Sequence, residues 1–115
     1  MNAYNWASRQ VDAVGGETEH ESDRFYTHLR TTIFSEDSLP MPVLLKDISS
    51  GGFMGECPNF VRIGSCISIH LPVIGSVEAL VVWALQGRLG ARFFHQISSC
   101  YLAKHFAPQE EGRTR

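Results

Sequence analysis

The sequence lacks long apolar runs, paired cysteines and the features of a leader peptide. Its longest uninterrupted apolar run, Ala79–Leu85, is far shorter than the roughly 20 residues that a membrane-spanning helix needs. The three cysteines are odd in number and have no Cys-x-x-Cys spacing, which favours reduced thiols over a disulfide framework. The first residues, Met1–Gly16, show neither the basic start nor the apolar core of a signal peptide. We therefore expect a soluble, cytoplasmic protein without membrane insertion.

An excess of charge of one sign is also missing. The chain has 10 Lys and Arg residues against 12 Asp and Glu residues, so its net charge is −2 at pH 7. Nonspecific binding to nucleic acid needs a basic surface, so we expect no DNA or RNA partner, and any nucleotide ligand must be small. With 115 residues, 43% of them hydrophobic, the chain is expected to form one globular domain.

The motifs of common catalytic sites are absent. The sequence contains no Gly-x-Ser-x-Gly elbow, no Walker loop and no Gly-x-Gly-x-x-Gly. Acidic residues concentrate near the two ends, so a catalytic carboxylate pair is not indicated. The five histidines lack the spacing of zinc ligands; they are His20, His28, His70, His95 and His105. We expect no enzyme, no metal and no cofactor, and keep a metal-dependent enzyme on a small barrel as a third alternative to the two functions given below.

Strand patterns dominate the middle of the chain. Cys66–Leu71 alternates apolar and polar residues, the period of a half-buried strand. Near the C-terminus, Ser98 and Ser99 offer an N-cap for a short helix that precedes Pro108. The full prediction is six strands, Leu29–Phe34, Met41–Ile48, Phe53–Glu56, Cys66–Leu71, Val77–Leu85 and Arg88–Phe94, and a helix, Ser99–Ala107. This order predicts an all-β fold, a small six-stranded antiparallel barrel closed by a short C-terminal α-helix.

One strand is predicted to be the most buried of the barrel, and another to be covered on both faces. Val77–Leu85 has little polarity and reads as the central, most buried strand, and Val43–Leu45 makes the second strand apolar on both sides. Between the last two strands, Gln86-Gly87 predicts a tight hairpin turn. In the last strand, alternation places Arg88, Gly90 and Arg92 outward.

The ends of the chain differ in composition from its middle. Residues 1–23 are predicted to be a flexible arm, residues 24–107 the barrel domain with its helix, and residues 108–115 a flexible tail. Tyr4 and Trp6 could dock on the domain or on a partner, or the arm could be disordered in solution.

Polar residues between the second and third strands form a turn whose role has two interpretations. In Asp47-x-Ser49-x-x-Gly52, side-chain oxygens can cap backbone N–H groups and glycine can adopt positive φ, which is ordinary turn chemistry. The second reading involves Arg24 and Arg30, which flank the entrance to the first strand. Guanidinium groups bind phosphates and guanine, and a carboxylate such as Asp47 can accept from guanine N–H groups.

The order of these features resembles a PilZ domain, the bacterial receptor module for cyclic di-GMP. The resemblance covers about Arg24 to Phe106 and implies a six-stranded antiparallel barrel with a C-terminal helix. It is carried by Asp47-x-Ser49-x-x-Gly52, the strand Gly64–Pro72, the Val-Val-Trp of Ala79–Trp83 and the Gly-Ala-Arg-Phe of Leu89–Phe93.

PilZ domains that bind the nucleotide typically carry Arg-x-x-x-Arg before the first strand and Asp/Asn-x-Ser-x-x-Gly after the second. The second motif matches in full here, and Arg30 matches the second arginine. Tyr26 stands where the first arginine belongs, and losing one charge-assisted contact costs about 1.5–3 kcal/mol, roughly ten- to a hundredfold in affinity. Arg24 is our candidate replacement, on grounds of proximity alone.

The resemblance implies a noncatalytic effector that binds cyclic di-GMP through Arg24, Arg30, Asp47, Ser49 and Gly52. Gly52 would permit the turn and a close approach of the ligand to the backbone. Binding is expected to order the Arg24–Arg30 segment and so to signal to a protein partner in motility, pilus or biofilm control. The alternative is a PilZ-like adaptor that no longer binds the nucleotide and acts through protein–protein contacts in pilus or motility control, as Tyr26 suggests.

Overall fold

Six antiparallel strands form a closed barrel with the strand order β1-β2-β3-β6-β5-β4. A computed structural model of the protein describes residues 24–36 and 38–106. The elements are β1 Phe25–Ser35, β2 Ser38–Ile48, β3 Gly52–Glu56, β4 Cys66–Leu71, β5 Gly75–Leu85, β6 Arg88–Phe93 and the helix α1 Ser99–Phe106. The predicted barrel and helix are confirmed. The predicted arm and tail, with Tyr4 and Trp6, lie outside the described residues.

The barrel interior is filled by side chains from alternate positions of every strand, as expected for a small barrel. Leu45 on β2, Ile69 on β4 and Leu89 on β6 are fully or almost fully buried. The rings of Phe53 and Phe93 lie 5.7 Å apart and add aromatic packing at the end of the barrel near the β2–β3 turn.

The C-terminal helix begins where the sequence predicts it. The Ser98 hydroxyl accepts hydrogen bonds from the backbone N–H groups of Cys100 and Tyr101, at 3.1 and 3.2 Å, which is N-cap geometry. Leu102 and Phe106 are buried against the core. The Tyr101 hydroxyl donates to the Pro72 carbonyl oxygen at 2.5 Å, and burial raises the pKa of this tyrosine above its ordinary value of 10.0. The helix is thus tied to the β4–β5 turn.

The β5–β6 hairpin turn is also confirmed. Gln86 and Gly87 both have positive φ, 52° and 79°, as a two-residue turn of type I′ requires. This helix and these strands are the whole of the regular structure among the described residues, and no described helix is long and apolar enough to cross a membrane.

Strand β1 is longer than its pattern predicts. It begins at Phe25 instead of Leu29, because both of these side chains pack against the core and continue the inward alternation. Arg30 lies inside this strand, as it does in the predicted range Leu29–Phe34, whereas the family motif has its second arginine before the first strand.

Strands β5 and β2 are less covered than predicted. In β5 only Ala79 and Val81 are buried, fewer residues than in β2, so the prediction that β5 is the most buried strand is wrong. Both faces of β5 are apolar in sequence, but a closed barrel has only one inside. Leu44 on β2 is half-buried for the same reason, which corrects the expectation that β2 is covered on both sides.

Candidate functional site

The β2–β3 turn is held by its own polar groups. The Ser49 N–H donates to the Gly52 carbonyl oxygen at 2.8 Å, and the Ser49 hydroxyl accepts from the Gly51 N–H at 3.3 Å. The same hydroxyl lies 3.4 Å from the Gly52 oxygen, to which it donates. The ordinary turn chemistry predicted for this motif is therefore present.

The rest of the barrel fixes this turn from behind. The Gly51 carbonyl accepts from the Phe93 N–H at the end of β6, and the Ser50 carbonyl accepts from the Ile97 N–H, both at 2.9 Å. Ser50 itself is buried. The backbone that carries Asp47 and Ser49 is thus anchored to β6 and to the segment leading into α1.

The two glycines of the turn do not use left-handed backbone. Positive-φ glycines in the described part of the chain are Gly64, Gly75 and Gly87, so the expectation of a positive φ at Gly51 or Gly52 is wrong. Gly52 is buried at the start of β3 and pairs with Arg92 of β6. Its role in a close approach of a ligand remains a prediction.

Arg24 and Asp47 come together at the edge of the turn. The Arg24 Nη1 atom lies 3.6 Å from Asp47 Oδ2, and the two side chains are 20% and 7% exposed. Partial burial strengthens the attraction between such charges relative to an exposed pair. The structure therefore places next to Asp47 the arginine that the sequence offers only as a replacement.

Arg30 does not share this position. It is exposed on the outer face of β1 and pairs in register with Leu44, which lies before Asp47 on β2. At about 3.3 Å per residue, the separation along the strand is roughly 10 Å. Arg30 therefore faces a different part of the outer surface from Arg24.

Tyr26 occupies the place beside Asp47 in the strand register. The two residues are Cα partners across β1 and β2, and the tyrosine side chain is 73% exposed. Tyr26 therefore places an uncharged ring beside Asp47, at the position where the family motif has its first arginine.

Two further residues belong to this surface and were missed as site residues. Arg92 is the register partner of Gly52, and its Nε atom is a buried donor without a hydrogen-bond partner among the described residues. Trp83 packs closely on Gly90, because a Cβ added at Gly90 would overlap the indole nitrogen of the tryptophan. This indole N–H is also a buried donor without a hydrogen-bond partner among the described residues. Alternation predicts that Arg92 faces outward, but only the pairing of β3 with β6 reveals which turn it faces.

A groove of about 740 Å³ lies apart from the predicted site, where β1, β4 and β5 meet the segment after β6, and contains none of the predicted site residues. Its lining residues are Phe34, Ser35, Glu36, Cys66, Ile67, Ser68, Glu78, Phe94 and His95. Among residues 24–36 and 38–106, no three metal-ligating side chains cluster in a way that could hold a metal ion.

Comparisons with known proteins agree with this architecture. The sequence model of the PilZ domain family matches residues 19–104. Among solved structures, the chain is similar to the PilZ domain of YcgR from Escherichia coli, determined with cyclic di-GMP. The TM-score is 0.54 at 18% identity, and the match covers 79% of this chain and 92% of that chain. No curated protein sequence gave a match.

Proposed function

Because the chain belongs to the PilZ domain family, we propose that it is a noncatalytic receptor for cyclic di-GMP. The observation that carries the proposal is the partly buried Arg24–Asp47 pair at the edge of a hydrogen-bonded Asp-x-Ser-x-x-Gly turn. The PilZ domain of YcgR, which has the same fold, is described with this nucleotide bound.

The chemistry of the pair suits a guanine nucleotide. Asp47 accepts the N–H groups on the Watson–Crick edge of guanine, and Arg24 exchanges part of its contact with Asp47 for a phosphate or for the O6/N7 edge. Ser49 presents a hydroxyl beside them, and Gly52 leaves the backbone approachable. The ligand lies against the outer surface of the barrel, where Tyr26 and Arg30 are exposed.

Arginines on β1 and β6, the strands on either side of the β2–β3 pair, complete the proposed site. Arg30 on β1 serves as the second clamp predicted from the family motif, and Arg92 lies beside Gly52 on the opposite flank of the turn. An anion that bridges these groups gains charge-assisted hydrogen bonds, each worth about 1.5–3 kcal/mol.

The proposed signal starts at the N-terminal edge of β1. Of the Arg24–Arg30 segment, Phe25–Arg30 lies in β1 and is paired with β2. We propose that nucleotide binding orders this segment further at its Arg24 end. A protein partner in motility, pilus or biofilm control would respond to this conformational change.

Titration calorimetry with cyclic di-GMP tests the proposal. We expect saturable heat for the wild type, loss of it in Asp47→Ala, and no response to cyclic di-AMP, whose adenine lacks the N–H pattern that Asp47 accepts. Arg88→Ala is the control, since Arg88 is exposed at the far end of β6, near the β5–β6 turn. No heat and no thermal shift at high micromolar nucleotide would contradict the proposal.

A second candidate function is a PilZ adaptor that ignores the nucleotide and acts through protein contacts. The observation that favours it is Tyr26, exposed where nucleotide-binding members carry arginine. A partner captured equally well with and without cyclic di-GMP, by a protein that gives no binding heat, would favour this function.

A further inference from the structure

Cations and carboxylates are divided unevenly along the chain. Residues 1–23 carry one arginine against five carboxylates, whereas residues 24–106 carry seven Lys and Arg residues against five carboxylates. Residues 24–106 therefore carry a net charge of +2, although the whole chain carries −2. A positively charged domain attracts anions that the whole-chain charge does not predict.

A β-bulge leaves Lys46 and Asp47 side by side between two inward positions of β2. In the pairing of β2 with β3, Leu45 faces Gly55 and Asp47 faces Met54, so Lys46 is the extra residue. Leu45 and Ile48 are both fully buried although they lie three residues apart, so the bulge leaves two successive residues between them, Lys46 and Asp47. Bulges redirect side chains in this way and are frequent beside functional sites.

His28 lies at a second irregularity, on the neighbouring strand. The β1–β2 register shifts between Tyr26 and Leu29, and His28 is exposed within this interval. The two irregularities bring a histidine and a lysine into contact, with 3.1 Å between Lys46 Nζ and His28 Nε2. An ammonium can only donate, so His28 Nε2 accepts this hydrogen bond.

The Lys46 ammonium retains donors for a further partner. One of its three N–H groups points to His28, and the nearest carboxylate oxygen, Glu56 Oε2, is 3.8 Å away, which is an ion pair but too long for a hydrogen bond. Exposed pairs of this kind contribute about 0–1 kcal/mol to folding. The ion pair with Glu56 therefore contributes little to the stability of the fold.

Arg30 extends the same patch. It is exposed on the same face of β1 as His28, and its register partner Leu44 pairs in turn with Glu56. We call His28, Arg30 and Lys46 the cationic cluster. Glu56 is the carboxylate that Lys46 approaches on this face.

We infer that the cationic cluster binds a phosphate group and that Lys46 supplies the positive charge that Tyr26 does not. Lys46 and Asp47 are consecutive residues, so their Cα atoms are about 3.8 Å apart. A nucleotide whose guanine contacts Asp47 can therefore place its phosphate at Lys46. The identity of the nucleotide rests on the proposed function, whereas the affinity for phosphate does not.

Lys46→Met tests the inference, because it keeps the length of the side chain and removes its charge. We expect cyclic di-GMP to bind about tenfold more weakly, since one charge-assisted contact is lost. The dependence of the Kd on salt should also become shallower, and Lys46→Arg should restore both. Lys104→Met, which removes an exposed lysine from α1, should bind as the wild type does.

A second measurement is independent of the nucleotide. Pyrophosphate is titrated into the full chain while the His28 imidazole resonances are followed by NMR, with assignment by His28→Gln. We expect a saturable shift in the wild type and in Lys104→Met, and a much weaker one in Lys46→Met.

The two measurements separate this inference from the proposed function. If Lys46→Met binds cyclic di-GMP like the wild type and pyrophosphate leaves His28 unshifted, the inference is overturned while the receptor function stands. If the wild type binds no cyclic di-GMP but pyrophosphate shifts His28 through Lys46, the receptor function falls and the phosphate site stands. A wild type without either response overturns both.

Discussion

The two sides of the proposed site are built differently. The turn side, Asp47–Gly52, is partly buried and held by backbone hydrogen bonds to itself and to the segments after it. The β1 side, Arg24–Arg30, consists of a strand whose outward residues Tyr26, His28 and Arg30 are exposed. The fold therefore fixes the position of the turn side, whereas on the β1 side the identity of each side chain decides the affinity. Changes on the first should affect both stability and binding, and changes at the exposed residues of the second should affect binding alone.

Asp47→Ala should have the largest effect. It removes the proposed guanine acceptor and leaves Arg24 without its carboxylate, so cyclic di-GMP affinity should fall by about a hundredfold or more. The free energy of unfolding should fall by about 1–3 kcal/mol, because the aspartate is buried. Calorimetry and urea unfolding measure the two losses. An Asp47→Ala protein with native affinity would show that the turn side does not contribute to nucleotide binding.

Arginine substitutions on the β1 side should weaken binding without unfolding the barrel. Arg24→Ala and Arg30→Ala should each lower the affinity by about ten- to a hundredfold. Arg30→Ala should change stability by no more than about 0.5 kcal/mol, because the side chain is exposed. Equal stability losses in Arg30→Ala and Asp47→Ala would contradict the division into a fixed and a variable side.

Tyr26→Arg should strengthen binding. The substitution restores the family motif opposite Asp47, and one additional charge-assisted contact should raise the affinity by about tenfold. Since Tyr26 is 73% exposed, the melting temperature should stay close to that of the wild type. Tyr26→Phe is the matched control and should give no gain. If Tyr26→Arg binds no better than the wild type, Arg24 or Lys46 already supplies the charge of the first motif arginine.

The same contrast explains what the sequence could predict. Strand existence and the fixed turn follow from local patterns: Cys66–Leu71 is found as predicted, and the Ser49 hydroxyl caps its turn. The predicted start of β1 is too late, because Phe25–Leu29 mixes aromatic and polar side chains and its inward alternation becomes evident only when the strand pairs with β2. The Arg24–Asp47 pair, the pairing of Arg92 with Gly52 and the contact of Lys46 with His28 all depend on register between strands distant in sequence.

The smallest effect is expected from the acidic residues that precede Arg24. Glu17, Glu19 and Glu21 carry negative charge close in sequence to the proposed anion site. Changing all three to glutamine should raise cyclic di-GMP affinity by about two- to threefold at low salt, since exposed charges interact over a Debye length of about 10 Å at 0.1 M salt. At 1 M salt this length is about 3 Å, so the gain should vanish there. Changing Glu110 and Glu111 in the C-terminal tail to glutamine controls for net charge and should leave the affinity unaltered. Equal gains from both sets would mean that the ligand responds to the total charge of the chain and not to charge near the β1 side.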